Sequence, residues 1–312
     1  MVDYSEIGSA VFAQEEVRKN YWKSLFLIII LIAIVLGLSY WIGAELGDVR
    51  MGLGIGVIVS FVVIPIQIMT AKWAILGMAR GKAANPEILA ERRAMQLLEG
   101  LAISAGLSRT PDLYIIPSQV PNAFASGLTE AGAFVAVTQG LLDMMDEQEL
   151  EGVLAHEVSH IIHRDIMLNQ LVVGLISVIL ILAVILERVL LLKSIHGDRR
   201  DRNDNGGSAI AILILVAILI RPLAILIAQL LQMAISRKRE FAADAEAVRL
   251  CSYNEGLARA LEKLGGKEYT KKEVESLGGR ELACMYINFP GGELFSTHPP
   301  IEERVRVLRS MY

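Results

Sequence analysis

The sequence is poor in cysteine, in net charge and in repetition, and each shortage excludes something. Its two cysteines, Cys251 and Cys284, stand far apart without a Cys-x-x-Cys pattern. Neither a disulfide framework nor a cysteine-ligated zinc finger follows from them, and the usage fits a reducing compartment. The net charge is only −4, from 30 basic and 34 acidic residues. The basic residues are dispersed among acidic ones with no concentrated stripe, which argues against a nucleic-acid partner. There is no internal repeat and no low-complexity tract.

Apolar sequence is abundant. Over 312 residues, 54% are hydrophobic and the mean hydropathy is +0.48, values that soluble domains rarely reach. The excess lies in four runs, at 25–43, 51–70, 166–186 and 209–235. Each approaches or exceeds the roughly 20 helical residues that span a bilayer. Tyr21, Trp22, Tyr40 and Trp41 flank the first run, where aromatic rings favour the interface. That run is too long for a signal peptide, and the segment before it carries acids as well as bases. Pro65 and Gln67 interrupt the second run and predict a kink. Arg221 and Pro222 break the fourth, and a charge there is expected to face protein or water.

Arg18, Lys19 and Lys23 precede the first run, and Lys72, Arg80 and Lys82 follow the second, whereas the loop between carries only Arg50. The bias places the N-terminus and the polar region 72–164 in the cytoplasm. The loop after the third run holds Arg188, Lys193, Arg199, Arg200 and Arg202, against that rule, so runs three and four either violate it locally or form a hairpin packed partly on protein. In both cases the chain returns to the side it left.

Within the polar region, Pro86–Leu107 reads as an amphipathic helix. Strands are predicted at Pro111–Ser118, Asn122–Gly127 and Ala133–Thr138, the last two as a hairpin. Asp146 with Glu149 three residues on marks a capped helix start. That helix carries His156-Glu157-Val158-Ser159-His160. Residues four apart share a helix face about 6 Å apart along the axis, so both imidazoles can converge on one Zn²⁺. Glu157, beside the first imidazole, is placed to take a proton from a water that the metal acidifies. A catalytic zinc needs a third protein ligand. His163 lies two turns from His156, too far to share the ion easily, and position 166 is Ile, so the longer His-Glu-x-x-His-x-x-Gly-x-x-His pattern fails. The next acids on the same side of the membrane are Glu240 and Asp244, one turn apart. Glu240 is the preferred ligand, with Asp244 orienting a ligating histidine; a charged juxtamembrane helix with i,i+4 pairs is the competing reading.

Four motifs in order, Pro121–Gly127 (PNAFASG), His156–Asp165 (HEVSHIIHRD), Ser236–Asp244 (SRKREFAAD) and Thr297–Arg309 (THPPIEERVRVLR), resemble the HtpX-type integral-membrane zinc proteases. These are gluzincins related to the CAAX prenyl proteases. The resemblance covers almost the whole chain. It implies one zinc per chain held by His156, His160 and Glu240, with Glu157 as base. It also implies structural or ligand-orienting parts for Asp165 and Asp244, a substrate cleft lined by Asn122 and Ala123 through strand addition, and His298 near the zinc as an oxyanion donor. Polypeptide substrates, and quality control of misfolded membrane proteins, are implied by resemblance alone.

The expected architecture is therefore a mainly α membrane protein, with four apolar helices and a zincin-like α+β catalytic domain containing a small β-sheet. Residues 1–80 carry two transmembrane helices, 81–165 the first part of the catalytic domain, 166–235 two further membrane helices, and 236–312 the rest of the catalytic domain. The expected setting is the cytoplasmic membrane, multi-pass, with the site facing the cytoplasm. The competing functions are a CAAX-type prenyl-protein protease, and a transporter or chaperone with a zinc site.

Overall fold

The computed structural model describes residues 10–127, 129–164, 166, 239–265, 270, 273, 277, 287 and 299–311. Apart from Ile166, the third and fourth apolar runs lie outside the described residues, as do Asp165 and His298. The chain divides into two compact units, one of Leu25–Met69 with Leu171–Leu231, the other of Met1–Ser24, Thr70–Gln170 and Gln232–Tyr312. The fold is mostly helical with one small mixed sheet.

In the first unit, the first apolar run lies within α1 (Ala10–Leu46), which Gly47 closes with a φ of 83°. Asp48 then caps α2 (Val49–Ile58), its carboxylate accepting from the Met51 N–H at 3.0 Å. The two helices meet through small residues. A Cβ on Gly52 would lie 2.4 Å from the Ser39 carbonyl oxygen and 2.7 Å from the Gly43 Cα, so only glycine permits this approach. A π-helical turn, Val59–Val63, separates α2 from α3 (Ile64–Ala79). It ends two residues before Pro65, which has no N–H to offer the turn before it, in the stretch where a kink is expected. Val49–Ile66 is long and apolar enough to cross a bilayer, with a mean hydropathy of 2.2.

The second unit is built on four strands, β1 (Lys82–Ala83), β2 (Asp112–Ile116), β3 (Ala123–Ser126) and β4 (Phe134–Thr138), in the order β1-β2-β4-β3. β2 pairs in parallel with β4, while β1 with β2 and β3 with β4 are antiparallel. Three strands fall inside the stretches predicted from sequence, including the hairpin. The two-residue β1 has no pattern of its own and exists through its pairing with β2.

All five residues of β4 are buried, because both faces of the strand are covered. Phe134 and Ala136 pack with Phe124, Ile116 and, from α3, Ile75, Leu76 and Ala79. Val135 and Val137 join the larger core on the opposite face. That core gathers α4 (Leu89–Ser104), α5 (Gln139–Met144), α6 (Glu147–Ile162), α7 (residues 239–251), α8 (Glu255–Gly265) and α9 (Ile301–Arg309). α4 is shorter than predicted at both ends. Asn85 donates its N–H to Glu91 in a turn before it. Gly106, with a φ of 69°, ends it through the Leu107 N–H to Ala102 carbonyl bond.

Candidate metal centre

α6 starts where the sequence places it. The Asp146 carboxylate accepts from the Glu149 N–H and the Glu149 carboxylate from the Asp146 N–H, both at 2.9 Å, a reciprocal cap that fixes the first turn. Almost every residue from Leu150 to Ile161 is buried, so α6 is a central helix and its histidines point into protein. α8 crosses it at very short range through Gly152 and Gly256. His163 caps the far end and is itself buried.

The structure brings three groups distant in sequence together. The Nε2 atoms of His156 and His160 are 3.2 Å apart. Glu240, on α7, places Oε2 3.5 Å from His156 Nε2 and Oε1 3.6 Å from His160 Nε2. A tetrahedral ion with bonds of about 2.0–2.1 Å sets its ligand atoms about 3.3 Å apart, and the observed separations bracket that value. Two imidazole nitrogens and one carboxylate oxygen are also a donor set suited to a first-row divalent ion. The group is thus spaced and composed to hold a metal. Glu157 follows His156 on α6 and is buried as well.

Around this group runs a buried ionic chain. Asp244 Oδ1 lies 3.0 Å from His156 Nδ1. A carboxylate only accepts hydrogen bonds, so Nδ1 carries a proton and Nε2 is the nitrogen that faces His160 and Glu240, free to bind a metal once its own proton is given up. Arg304, from α9, grips Asp244 with two bonds, Nε to Oδ2 at 2.9 Å and Nη2 to Oδ1 at 2.7 Å. Burial lowers the His156 imidazole pKa, but bonds to Asp244 and Glu240 outweigh it and raise the value to about 9. Burial likewise opposes ionisation of Asp244 and Arg304, yet their pairing keeps the carboxyl below its ordinary value and the guanidinium above its own. Arg304 carries no expectation from sequence, although it sits in the quoted 297–309 motif. A single arginine among Glu302, Glu303 and Arg306 reads as part of a solvated helix face, and only the tertiary fold shows that it is fully buried.

Ala123 opens β3, at the edge of the sheet, and Asn122 immediately precedes it. Both are fully buried. Asn122 donates its N–H to Thr138 Oγ1 at 2.8 Å and accepts the Thr138 N–H on its carbonyl. Its Oδ1 accepts the Ala123 N–H at 3.1 Å. The Ala123 carbonyl accepts the Ile287 N–H at 3.1 Å. By strand alternation, Ala125 turns its N–H and C=O to the same outer side as Ala123.

Comparison with known proteins gives the family. The sequence model of Peptidase family M48 matches residues 89–312. A protease HtpX homolog of Dictyoglomus thermophilum is 42% identical over 221 residues, covering 70% of this chain and 68% of the relative. One from Listeria monocytogenes serotype 4a is 35% identical over 313 residues, covering 95% of this chain and 99% of the relative. Among solved structures, that of S. mikatae Ste24p aligns with a TM-score of 0.49 at 19% identity, covering 94% of this chain and 66% of the other. The family match takes in both histidines of α6, the carboxylate of α7 and the arginine of α9, and the chain belongs to peptidase family M48 as a metalloprotease of the HtpX type.

Proposed function

We propose that the protein is a membrane-embedded zinc endopeptidase, with one zinc per chain held by His156, His160 and Glu240. The observation that carries this reading is the pair of Nε2 atoms 3.2 Å apart, with the Glu240 carboxylate facing both, Oε2 at 3.5 Å from His156 and Oε1 at 3.6 Å from His160, backed by an Asp244 that holds the His156 Nδ1 proton. When bound, zinc supplies Lewis acidity towards a water and a peptide carbonyl. The remaining steps belong to the chain. Glu157 takes a proton from the attacking water and returns it to the departing amine. Asp244 keeps His156 Nδ1 protonated and its ring oriented. His298 and Asp165 are proposed by resemblance, as an oxyanion donor and a structural carboxylate.

Substrate is proposed to bind as an extended strand along β3, with Asn122 and Ala123 lining the cleft. Because Ile287 already bonds the Ala123 carbonyl, a strand that pairs at Ala123 displaces that bond. The membrane reading is supported by Val49–Ile66 and by the large apolar side chains it leaves exposed, among them Ile55, Phe61 and Ile66, with Met69 just beyond. Water does not favour such a surface, whereas lipid does. Four spans, a catalytic domain divided between 81–165 and 236–312, a site on the cytoplasmic side and substrates drawn from misfolded membrane proteins complete the proposal.

Full-length protein purified in detergent, stripped with a chelator and titrated with zinc, tests it. The expected result is one zinc per chain and cleavage of an unfolded polypeptide that appears in step with occupancy. Tight binding of one zinc without cleavage of any unfolded or membrane polypeptide would count against a peptidase.

A further inference from the structure

Arg304 is the largest fully buried side chain among the described residues, and the reaction as set out above gives it no part. A guanidinium is costly to bury and persists there only when paired. Its pairing is specific. Nε and Nη2 hold the two oxygens of Asp244 separately, at 2.9 and 2.7 Å, and Nη1 lies 3.5 Å from Glu240 Oε2. One cation thus faces both the carboxylate that bonds His156 and the carboxylate that completes the metal triangle. Nη2 is also 3.4 Å from His156 Nδ1, but both are donors once Nδ1 is protonated. The charged acceptor Asp244 Oδ1, nearer at 3.0 Å, takes the ring proton.

We propose that Arg304 is a positioning residue of the metal centre, which clamps Asp244 in the one rotation that presents His156 Nε2, and holds Glu240 facing it, before any metal is present. Two points of attachment stop the Asp244 carboxylate from turning about its Cβ–Cγ bond. Its Oδ1 then meets the His156 ring in a fixed place. Without Arg304, three buried carboxylates, Glu157, Glu240 and Asp244, lose the cation they surround. Lysine restores a point charge but not the planar fork.

The inference rests on the metal-centre reading, and one experiment separates the two. Zinc affinity is measured by competition with a chromophoric chelator, and thermal midpoint alongside it, for the full-length protein and for Arg304→Met, Arg304→Lys, Asp244→Asn and the Arg304→Met/Asp244→Asn double variant. Arg304→Met is expected to weaken zinc binding about 10–100-fold, the usual loss when a partner that orients a ligand is removed. Arg304→Lys, which keeps the charge and much of the volume, is expected to stay folded and still bind about 10-fold more weakly. Asp244→Asn also weakens binding, since one donor of the fork then meets an amide N–H. The double variant is expected to bind more tightly than either single variant, because an asparagine oxygen can accept the His156 proton with no counter-charge. Unchanged affinity in Arg304→Lys, or a double variant as weak as the two losses combined, would reduce Arg304 to a packing residue and overturn the inference. Failure of the wild-type protein to bind zinc would overturn the metal-centre reading and the inference with it.

Discussion

Gly152 of α6 presses directly on the backbone of Leu257 in α8: a Cβ at Gly152 would stand 2.6 Å from the Leu257 nitrogen and 2.8 Å from its Cα. The contact is reciprocal, since a Cβ on Gly256 would stand 2.4 Å from the Gln148 carbonyl oxygen. In an open helix, Gly→Ala stabilises by about 1 kcal/mol. Here the sign reverses. Gly152→Ala is expected to destabilise by about 1–3 kcal/mol, the usual cost of overpacking, seen as a lower thermal midpoint in detergent. An unchanged or raised midpoint would mean that the two helices can part without cost.

Glu240→Ala removes one corner of the metal triangle. Zinc affinity is expected to fall more than ~100-fold, beyond the loss that follows removal of an orienting partner, with the fold retained. Glu302→Ala, at an exposed acid on α9, removes the same charge and is expected to leave affinity unchanged. Equal effects of the two substitutions on chelator competition would reduce Glu240 to a general electrostatic contributor.

Cys251 is a free thiol on α7, and burial, reinforced by Glu151, pushes its pKa up to about 12. Because the thiolate is the reactive form, alkylation of the native protein at pH 9 is expected to spare Cys251, while the unfolded chain labels readily at the same pH. Peptide mass spectrometry distinguishes this site from Cys284, and native labelling of Cys251 at the unfolded rate would contradict the burial.

Asp146→Ala tests the start of the helix that bears both histidines. Loss of an N-cap costs about 1 kcal/mol; the Glu149 N–H loses its carboxylate acceptor, while the backbone N–H of residue 146 still donates to the Glu149 carboxylate. The expected outcome is a lower thermal midpoint with zinc stoichiometry unchanged, because His156 and His160 lie more than two turns further along. A fall in stoichiometry at full folding would show that the cap governs the site itself.

Much of the site region is legible in sequence because its signals are local. Asp146 and Glu149 mark the helix start, the four-residue step from His156 to His160 sets one face, and the step from Glu240 to Asp244 sets another. The strand stretches are legible for the same reason, being short β-branched or aromatic runs between turn residues. What escaped depends on distant partners. β1 exists only against β2. Arg304 is defined by Asp244 on another helix. Ile287 meets Ala123 by a backbone bond that no side-chain pattern announces.

The most direct test of the central claim is cleavage of an unfolded polypeptide by zinc-loaded Glu157→Gln beside the wild-type protein, with zinc content measured in both. The substitution keeps the shape of a buried side chain that is outside the metal triangle and removes its capacity to take a proton. The account predicts one zinc per chain in each, and a rate at least 10²-fold lower in the variant, the lower end of what a general base contributes. A variant that retains both its zinc and its rate would show that Glu157 is not the base and would contradict the account.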